Sequence, residues 1–206
     1  MVRLILIRHG KTAKNVRGIL HSRSDDSSLD EEGIDQMKRV GRVLKGENVV
    51  QLFCSKEKRA VESARIISQI CRVTRKEVAG LEERDWGVFE GCPWSDVQAI
   101  LERLSLDERY TYTPEGGESW QAFEGRIIGA LGIILEGAKG GVVAVITHGG
   151  VIRALLPYLL GVPKEESFKF DPANASLTIF NFDKGKFTKV VVDDRSHLDQ
   201  RSGGVL

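Results

Sequence analysis

The sequence predicts an α/β fold, a three-layer sandwich in which helices flank a mainly parallel central sheet with an antiparallel edge. Two apolar runs rich in β-branched residues, at 4–7 and 142–146, are typical of strands buried on both faces of a sheet. Strand-like and helix-like segments alternate along the chain, which predicts parallel strands joined by helices. The last two strand-like segments are separated by Asp183-Lys184-Gly185, which is typical of a hairpin.

Each predicted element has a local basis. Strands are predicted where apolar and β-branched residues cluster, at 2–8, 49–54, 142–147, 175–182 and 186–192, and more weakly at 73–81. Helices are predicted where apolar residues recur with helical spacing, at 30–44, 56–71, 94–104, 118–137 and 150–160. Asp30 is a typical first residue for a helix, whereas Gly33 and Gly41 weaken that helix. The segment 11–28 reads as a polar loop.

The composition fits one domain spanning residues 1–206. With 41% hydrophobic and 29% charged residues and a net charge of +1, the chain lacks the positive charge expected of a nucleic-acid or membrane-surface protein. Three cysteines without C-x-x-C spacing favour reduced thiols rather than disulfides or a zinc site. Because the sequence contains no apolar run of about 18 residues and no signal-peptide pattern, we expect a cytoplasmic protein.

Two of the predicted strands end in a histidine followed by glycine. The first runs into Arg8-His9-Gly10, and the strand at 142–147 runs into Thr147-His148-Gly149-Gly150. Ligands of α/β sheets bind at the carboxyl ends of the strands. The pattern therefore predicts a site at one edge of the sheet that contains His9, His148 and Arg8.

Arg59 is predicted to join this site. It lies on the same face of its helix as Ile66, Ile67 and Ile70, and in the first turn after the strand at 49–54. The alternative is a surface arginine that pairs with Glu62. An arginine on a buried face needs an anionic partner, and a phosphate held jointly with Arg8 would supply one.

Four ordered motifs carry a family resemblance that spans position 3 to about 153. They are Arg8-His9-Gly10-Lys11-Thr12 with Asn15, Ser55-x-x-x-Arg59-Ala60-x-x-Ser63-Ala64, Leu81-x-Glu83-x-x-x-Gly87-x-x-Glu90-Gly91, and Thr147-His148-Gly149-Gly150. Together they resemble the histidine phosphatase superfamily, which has the phosphoglycerate-mutase-like fold. The segment Gly116-Gly117-Glu118-Ser119 and Arg126 are similar to weaker features of that family.

The resemblance implies a mechanism. His9 would attack phosphorus and form a phosphohistidine, which water would hydrolyse. A nucleophilic imidazole must be neutral, with its other nitrogen protonated and held by a backbone carbonyl. Arg8, Asn15, Arg59 and His148 would bind the phosphoryl oxygens, together with the backbone N–H of Gly149. Because these groups supply the charge, no metal or cofactor is expected, and the sequence contains no P-loop, H-E-x-x-H or clustered Asp motif.

Glu83 is the expected proton donor to the leaving oxygen and the later base for water. Glu82, Asp85 and Glu90 are nearby rivals, and the family spacing to Gly87 and Gly91 selects Glu83. Of the remaining histidines, His21 and His197 match no catalytic motif and are interpreted as surface or supporting residues.

A small helical cap is expected at about 91–125, by resemblance. Seven of the 14 aromatic residues lie between positions 86 and 123: Trp86, Phe89, Trp94, Tyr110, Tyr112, Trp120 and Phe123. They form either a wall of the substrate pocket or a satellite core beneath the cap.

Three functions remain open from the sequence. The first is a phosphatase of small-molecule phosphomonoesters, of the broad-specificity or α-ribazole-phosphate phosphatase type, active as a monomer or homodimer. The second is a phosphoglycerate mutase, and the third is a non-catalytic relative that binds phosphorylated ligands. The compact cap and the polar segment 193–206 favour the phosphatase.

Overall fold

The central sheet has six strands in the computed structural model, which describes residues 1–21 and 25–199. The strands are β1 (Val2–Arg8), β2 (Val49–Cys54), β3 (Arg75–Glu77), β4 (Gly141–Thr147), β5 (Leu177–Asp183) and β6 (Lys186–Asp194). Their order across the sheet is β3-β2-β4-β1-β5-β6. The first four in this order run parallel, whereas β5 pairs antiparallel with both β1 and β6. This arrangement confirms the predicted parallel sheet with an antiparallel edge.

Helices cover both faces of the sheet. The main ones are α2 (Glu31–Gly46), α3 (Lys58–Cys71), α6 (Trp120–Glu136) and α7 (Gly149–Leu160), and the shorter ones are α1 (Ala13–Arg17), α4 (Trp94–Leu101) and α5 (Leu106–Thr111). Side chains of β1 alternate between the two cores: Ile5 and Ile7 belong to the core that contains residues of α2 and α3, and Leu4 and Leu6 to the core that contains residues of α6 and α7. Burial on both faces explains why the strand is uniformly apolar.

Three predicted boundaries were wrong. The weak strand at 73–81 is reduced to β3, because its charged residues lie half-buried or exposed at the edge of the sheet and Gly80 then turns the chain with a φ of +93°. The helix at 94–104 ends at Leu101, and α5 begins after Ser105, whose side chain and Glu108 form a capping box. The loop at 11–28 contains α1, and residues 22–24 of that loop lie outside the described residues.

The topology brings the two His-Gly ends together. Arg8, the last residue of β1, pairs directly with Thr147, the last residue of β4. His9 and His148 therefore leave neighbouring strands at the same edge, where α7 begins. In the part of the chain that the structure describes, no helix is long and apolar enough to cross a membrane.

Candidate active site

His9 and His148 lie side by side at the carboxyl edge of the sheet. Their ring centroids are 5.3 Å apart, and their exposed fractions are 3% and 0%. Asn174, from the segment before β5, donates to the backbone oxygen of His9 over 3.1 Å. The two rings are thus buried, and Asn174 stabilises the backbone at His9.

The hydrogen bonds of His9 define which of its nitrogens carries the proton. Nδ1 lies 2.7 Å from the carbonyl oxygen of Gly10, and because a carbonyl can only accept, Nδ1 is the protonated nitrogen. Nε2 accepts a hydrogen bond from Arg59 Nε over 3.2 Å. Burial, with help from the charge of Arg59, holds the pKa of His9 well below its usual value. The ring is therefore neutral, and Nε2 holds the free electron pair that an attack on phosphorus requires.

Arg59 is buried, as its helical position predicts. It is 1% exposed, and its Nη2 forms an ion pair with Glu57 Oε2 at 2.6 Å. The alternative of a surface pair with Glu62 was wrong, because Glu62 turns away and accepts a hydrogen bond from the backbone N–H of Leu29.

Glu57 is one of the site residues that the sequence reasoning missed, as it also missed the cavity-lining residues Arg84, Arg153, Asp171 and Asn174. Its Oε2 lies 2.6 Å from Arg59 and 2.7 Å from His148 Nε2, so one carboxylate bridges the two groups. Burial raises the pKa of the Glu57 carboxyl, but the contacts with His148 and Arg59 outweigh it and lower the pKa to about 2. Glu57 occupies an unspecified position of its motif, so the only signal was the need of a buried arginine for an anion.

Arg153 Nε, Trp120 Nε1 and Glu57 Oε1 are buried without a hydrogen-bond partner among the described residues. The same holds for one nitrogen atom in each of three residues predicted to bind phosphate. They are Arg8 Nε, Arg59 Nη1 and His148 Nδ1. Other nitrogens of these side chains are engaged: Arg8 Nη1 donates to the carbonyl of Pro172 at 2.6 Å, and His148 Nε2 lies 2.9 Å from Ser55 Oγ. Burying a polar atom without a partner is costly, so the unpartnered N–H groups of Arg8 and Arg59 indicate a place for an anion with acceptor oxygens.

Glu83 lines a cavity that Arg8 and Gly149 also line. One of its oxygens accepts a hydrogen bond from the backbone N–H of Gly150, at the start of α7, over 2.9 Å. The other accepts from the backbone N–H of Arg84 over 2.8 Å. The rivals are engaged elsewhere: Glu82 accepts from the N–H of Gly80, and Asp85 accepts from the N–H of Gly87. Of the four candidate carboxylates, Glu83 is the one that lines the cavity.

Asn15 and Gly149 also line the cavity. The side-chain oxygen of Asn15 accepts hydrogen bonds from Thr12 and Asn174. These bonds stabilise the loop after β1. Gly149 is the first residue of α7 and lies against Arg8, whose Cζ would be 3.1 Å from a Cβ at this position. A larger residue at Gly149 would therefore press on the guanidinium.

The two remaining histidines have different places. His21 lines the cavity, its ring lies 5.9 Å from that of His9, and Thr12 Oγ1 is 3.0 Å from its Nε2. His197 is buried outside the cavity, where its Nε2 bonds to the carbonyl of Ala175. Both fit the supporting role, but the surface interpretation of His197 was wrong because its ring is buried beside the carbonyl of Ala175.

The cavity that Glu83 lines, together with Arg8 and Gly149, the chain neighbours of His9 and His148, has a volume of about 410 Å³. Its lining combines charged side chains, among them Arg8, Glu83 and Arg153, with aromatic ones. The aromatic wall is formed by Trp86, Trp94 and Trp120. Within residues 1–21 and 25–199, no group of three or more His, Cys, Asp or Glu side chains is arranged to hold a metal ion.

Comparison with known proteins shows which family the chain belongs to. The family described as "Histidine phosphatase superfamily (branch 1)" matches residues 4–195, which includes all four sequence motifs. The chain belongs to this superfamily. The fold is shared as well: the structure of a putative alpha-ribazole-5'-P phosphatase from Escherichia coli superposes with a TM-score of 0.83 and 26% identity, covering 94% of this chain and 97% of that one.

Curated histidine phosphatase relatives include two kinds of enzyme. A metal-independent phosphoserine phosphatase of Arabidopsis thaliana is 32% identical over 95% of this chain and 82% of the relative. A 2,3-bisphosphoglycerate-dependent phosphoglycerate mutase of Thermoplasma acidophilum is 26% identical over 88% of each chain. The family membership thus supports phosphoryl-group chemistry. Whether the phosphoryl group passes to water, as in a phosphatase, or back to the ligand, as in a mutase, depends on the details of the site.

Proposed function

We propose that this histidine phosphatase hydrolyses small-molecule phosphomonoesters, without a metal, through a phosphohistidine at His9. The observation that carries the proposal is the unprotonated Nε2 of His9, which accepts from Arg59 beside the three unpartnered nitrogens of Arg8, Arg59 and His148. A phosphoryl group in front of Nε2 would offer oxygens to the N–H groups of Arg8 and Arg59, and to His148 Nδ1 when that ring carries both protons. Such positioning and charge neutralisation is what phosphoryl transfer mainly requires.

The reaction has two steps. In the first, His9 Nε2 forms a bond to phosphorus, the bond from phosphorus to the ester oxygen breaks, and Glu83 gives its proton to the departing alcohol. In the second, Glu83 takes a proton from water, whose oxygen attacks phosphorus and releases inorganic phosphate from His9. Arg8, Arg59 and His148, with Asn15 and the N–H of Gly149, would hold the phosphoryl oxygens throughout.

The cap supports hydrolysis over the mutase reaction. A mutase has to hold its dephosphorylated ligand and exclude water until the phosphoryl group returns. Between Gly91 and Glu118 this chain has only the short helices α4 and α5. The segment 193–206 is polar, and its residues 200–206 lie outside the described part of the chain. We therefore infer that water reaches the intermediate, so that phosphate release outpaces interconversion of 3- and 2-phosphoglycerate.

A trapping experiment tests the proposal. After brief incubation with a ³²P-labelled phosphomonoester and an alkaline quench, acid-labile label should be found on the peptide that contains His9, and EDTA should not prevent it. His9→Ala should abolish labelling and turnover, whereas His197→Gln, outside the cavity, should retain both. Label on Ser or Asp would overturn the mechanism, and interconversion faster than phosphate release, with bisphosphoglycerate present, would overturn the phosphatase assignment.

A further inference from the structure

A second cavity adjoins the cavity that Arg8 and Glu83 line. Its volume is about 290 Å³, and it lies under the cap, where Gln98, Leu101 and Arg109 line it. The two cavities share six lining residues: Arg84, Trp86, Trp94, Trp120, Arg153 and Asp171. They are therefore two compartments of one cleft, and a ligand whose phosphate lies at His9 would extend toward the cap.

Trp120 contributes a hydrogen-bond donor that has no acceptor. The residue is 3% exposed, lines both compartments, and its Nε1 has no partner among the described residues. The ring is held by Phe123 and Phe168, at centroid distances of 5.4 and 5.1 Å. A buried indole N–H normally finds a partner, so a rigidly held and unsatisfied one in a cleft indicates an acceptor atom on the ligand.

Trp94 is the aromatic ring best placed to contact that ligand. Trp86 is already covered, with the Arg84 guanidinium 4.3 Å from its ring centroid and the ring of Trp94 at 5.7 Å in an edge contact. Trp94 itself is half-buried, begins α4 and lines both compartments. It therefore offers apolar ring surface to the cleft at the boundary between the two compartments.

We propose that the substrate is a phosphomonoester whose alcohol part carries a planar ring, which packs on Trp94 and accepts a hydrogen bond from Trp120 Nε1. This inference rests on the proposed phosphatase function and specifies its substrate class. A small phosphorylated alcohol without a ring would leave the second compartment empty and the Trp120 donor unpaired. A molecule of nucleotide size would fill both.

A matched pair of substrates tests the inference. A purine ribonucleoside 5′-monophosphate and ribose 5-phosphate share the phosphate and the sugar and differ by the ring. We expect kcat/KM to be about 10-fold higher for the nucleotide or more, in the range known for stacking of a base on an aromatic side chain. Trp94→Ala should reduce this ratio to below about 3-fold, and Trp94→Phe should restore part of it.

The control is Tyr158→Ala, which removes a half-exposed aromatic ring of α7 outside the cleft and should leave the ratio unchanged. Equal kcat/KM for the two substrates, or a ratio that Trp94→Ala does not alter, would overturn the inference. If neither substrate releases phosphate, the proposed function fails by itself. Binding then tests whether the planar ring packs on Trp94. The nucleotide must quench tryptophan fluorescence at lower concentration than ribose 5-phosphate, and Trp94→Ala must remove the difference.

Discussion

Arg59 touches both the nucleophile and the carboxylate of the site. Its Nε donates to His9, its Nη2 pairs with Glu57, and its Nη1 is left for a phosphoryl oxygen. We expect Arg59→Ala to lower kcat/KM about 100-fold or more, because one donor to developing negative charge contributes about 3 kcal/mol. Arg59→Lys should recover only part, since a single ammonium cannot reproduce three separate N–H contacts.

The matched control is Arg65→Ala, because Arg65 lies on the exposed face of the same helix. Steady-state kinetics on a phosphomonoester, with folding checked by circular dichroism, measure the effect. Kinetics close to wild type in Arg59→Ala would show that the guanidinium does not contact the reacting group.

Glu57 stabilises the site, because its carboxylate pairs with the buried Arg59 guanidinium and contacts the buried His148 ring. Glu57→Ala leaves both groups buried without that partner, and breaking a buried pair in this way costs about 3–5 kcal/mol. We expect urea unfolding to show a loss of this size. Saturating inorganic phosphate should restore part of it, since its oxygens can replace the carboxylate and ligand binding stabilises the folded state.

Glu32→Ala is the control for this prediction. Glu32 also forms an ion pair, with Lys11 at 2.8 Å, but its side chain is 59% exposed. Its loss should cost less than about 1 kcal/mol and should not respond to phosphate. A loss of similar size in both variants would show that burial of Glu57 has no special importance.

At the scale of elements, the loop after β1 is held in place by its close approach to α2. A Cβ at Gly33 would lie 2.6 Å from the backbone nitrogen of Lys11, and a Cβ at Gly10 would lie 3.0 Å from the backbone carbon of Gly33. Position 33 thus requires glycine, because any larger residue would collide with the loop that carries His9. This explains why a poor helix former occupies the first turn of α2.

We therefore expect Gly33→Ala to destabilise the fold by at least about 1 kcal/mol and to reduce kcat, because the new methyl group pushes the His9 loop away from α2. Gly129→Ala is the matched control. It lies inside α6 with open space around its Cβ position, so alanine should stabilise the protein by up to about 1 kcal/mol. Denaturant titrations of both variants measure the difference, and stabilisation by Gly33→Ala would contradict the contact.

The elements also show which features a sequence can predict. The four strands with apolar cores and the buried face of α3 follow from hydrophobic periodicity, because burial itself selects those residues. β3 and α5 were misjudged because they lie near the surface, where packing constrains the sequence less. The bridge made by Glu57 depends on how α3 and α7 meet, and that geometry has no local pattern.

At the scale of the whole molecule, the net charge is only +1, yet positively charged side chains cluster at the cleft. Arg8, Arg59 and Arg84 are drawn into or beside the cleft, and burial lowers the pKa of Arg8, and that of Arg84 to about 10. The fold therefore carries desolvated positive charge at one edge of the sheet, at a cost that an anionic ligand would offset.

The same burial makes the stability of the whole fold depend on pH. Burial, with Arg59 as the next cause, lowers the pKa of His9 well below its usual value and the pKa of His21 to about 3, and burial lowers that of His197 in the same direction. The unfolded chain, with histidine pKa values near 6.5, takes up these protons as the pH falls below about 6.5, whereas the folded protein does not. Stability should therefore be fully present above pH 6.5 and fall toward pH 5. His9 and His21 each contribute a slope of about 1.4 kcal/mol per pH unit there.

Urea unfolding at pH 7, 6 and 5 measures this slope, and His21→Asn should make it shallower by the contribution of one proton. Stability that stays constant or rises between pH 7 and 5 would mean that the folded protein protonates these rings.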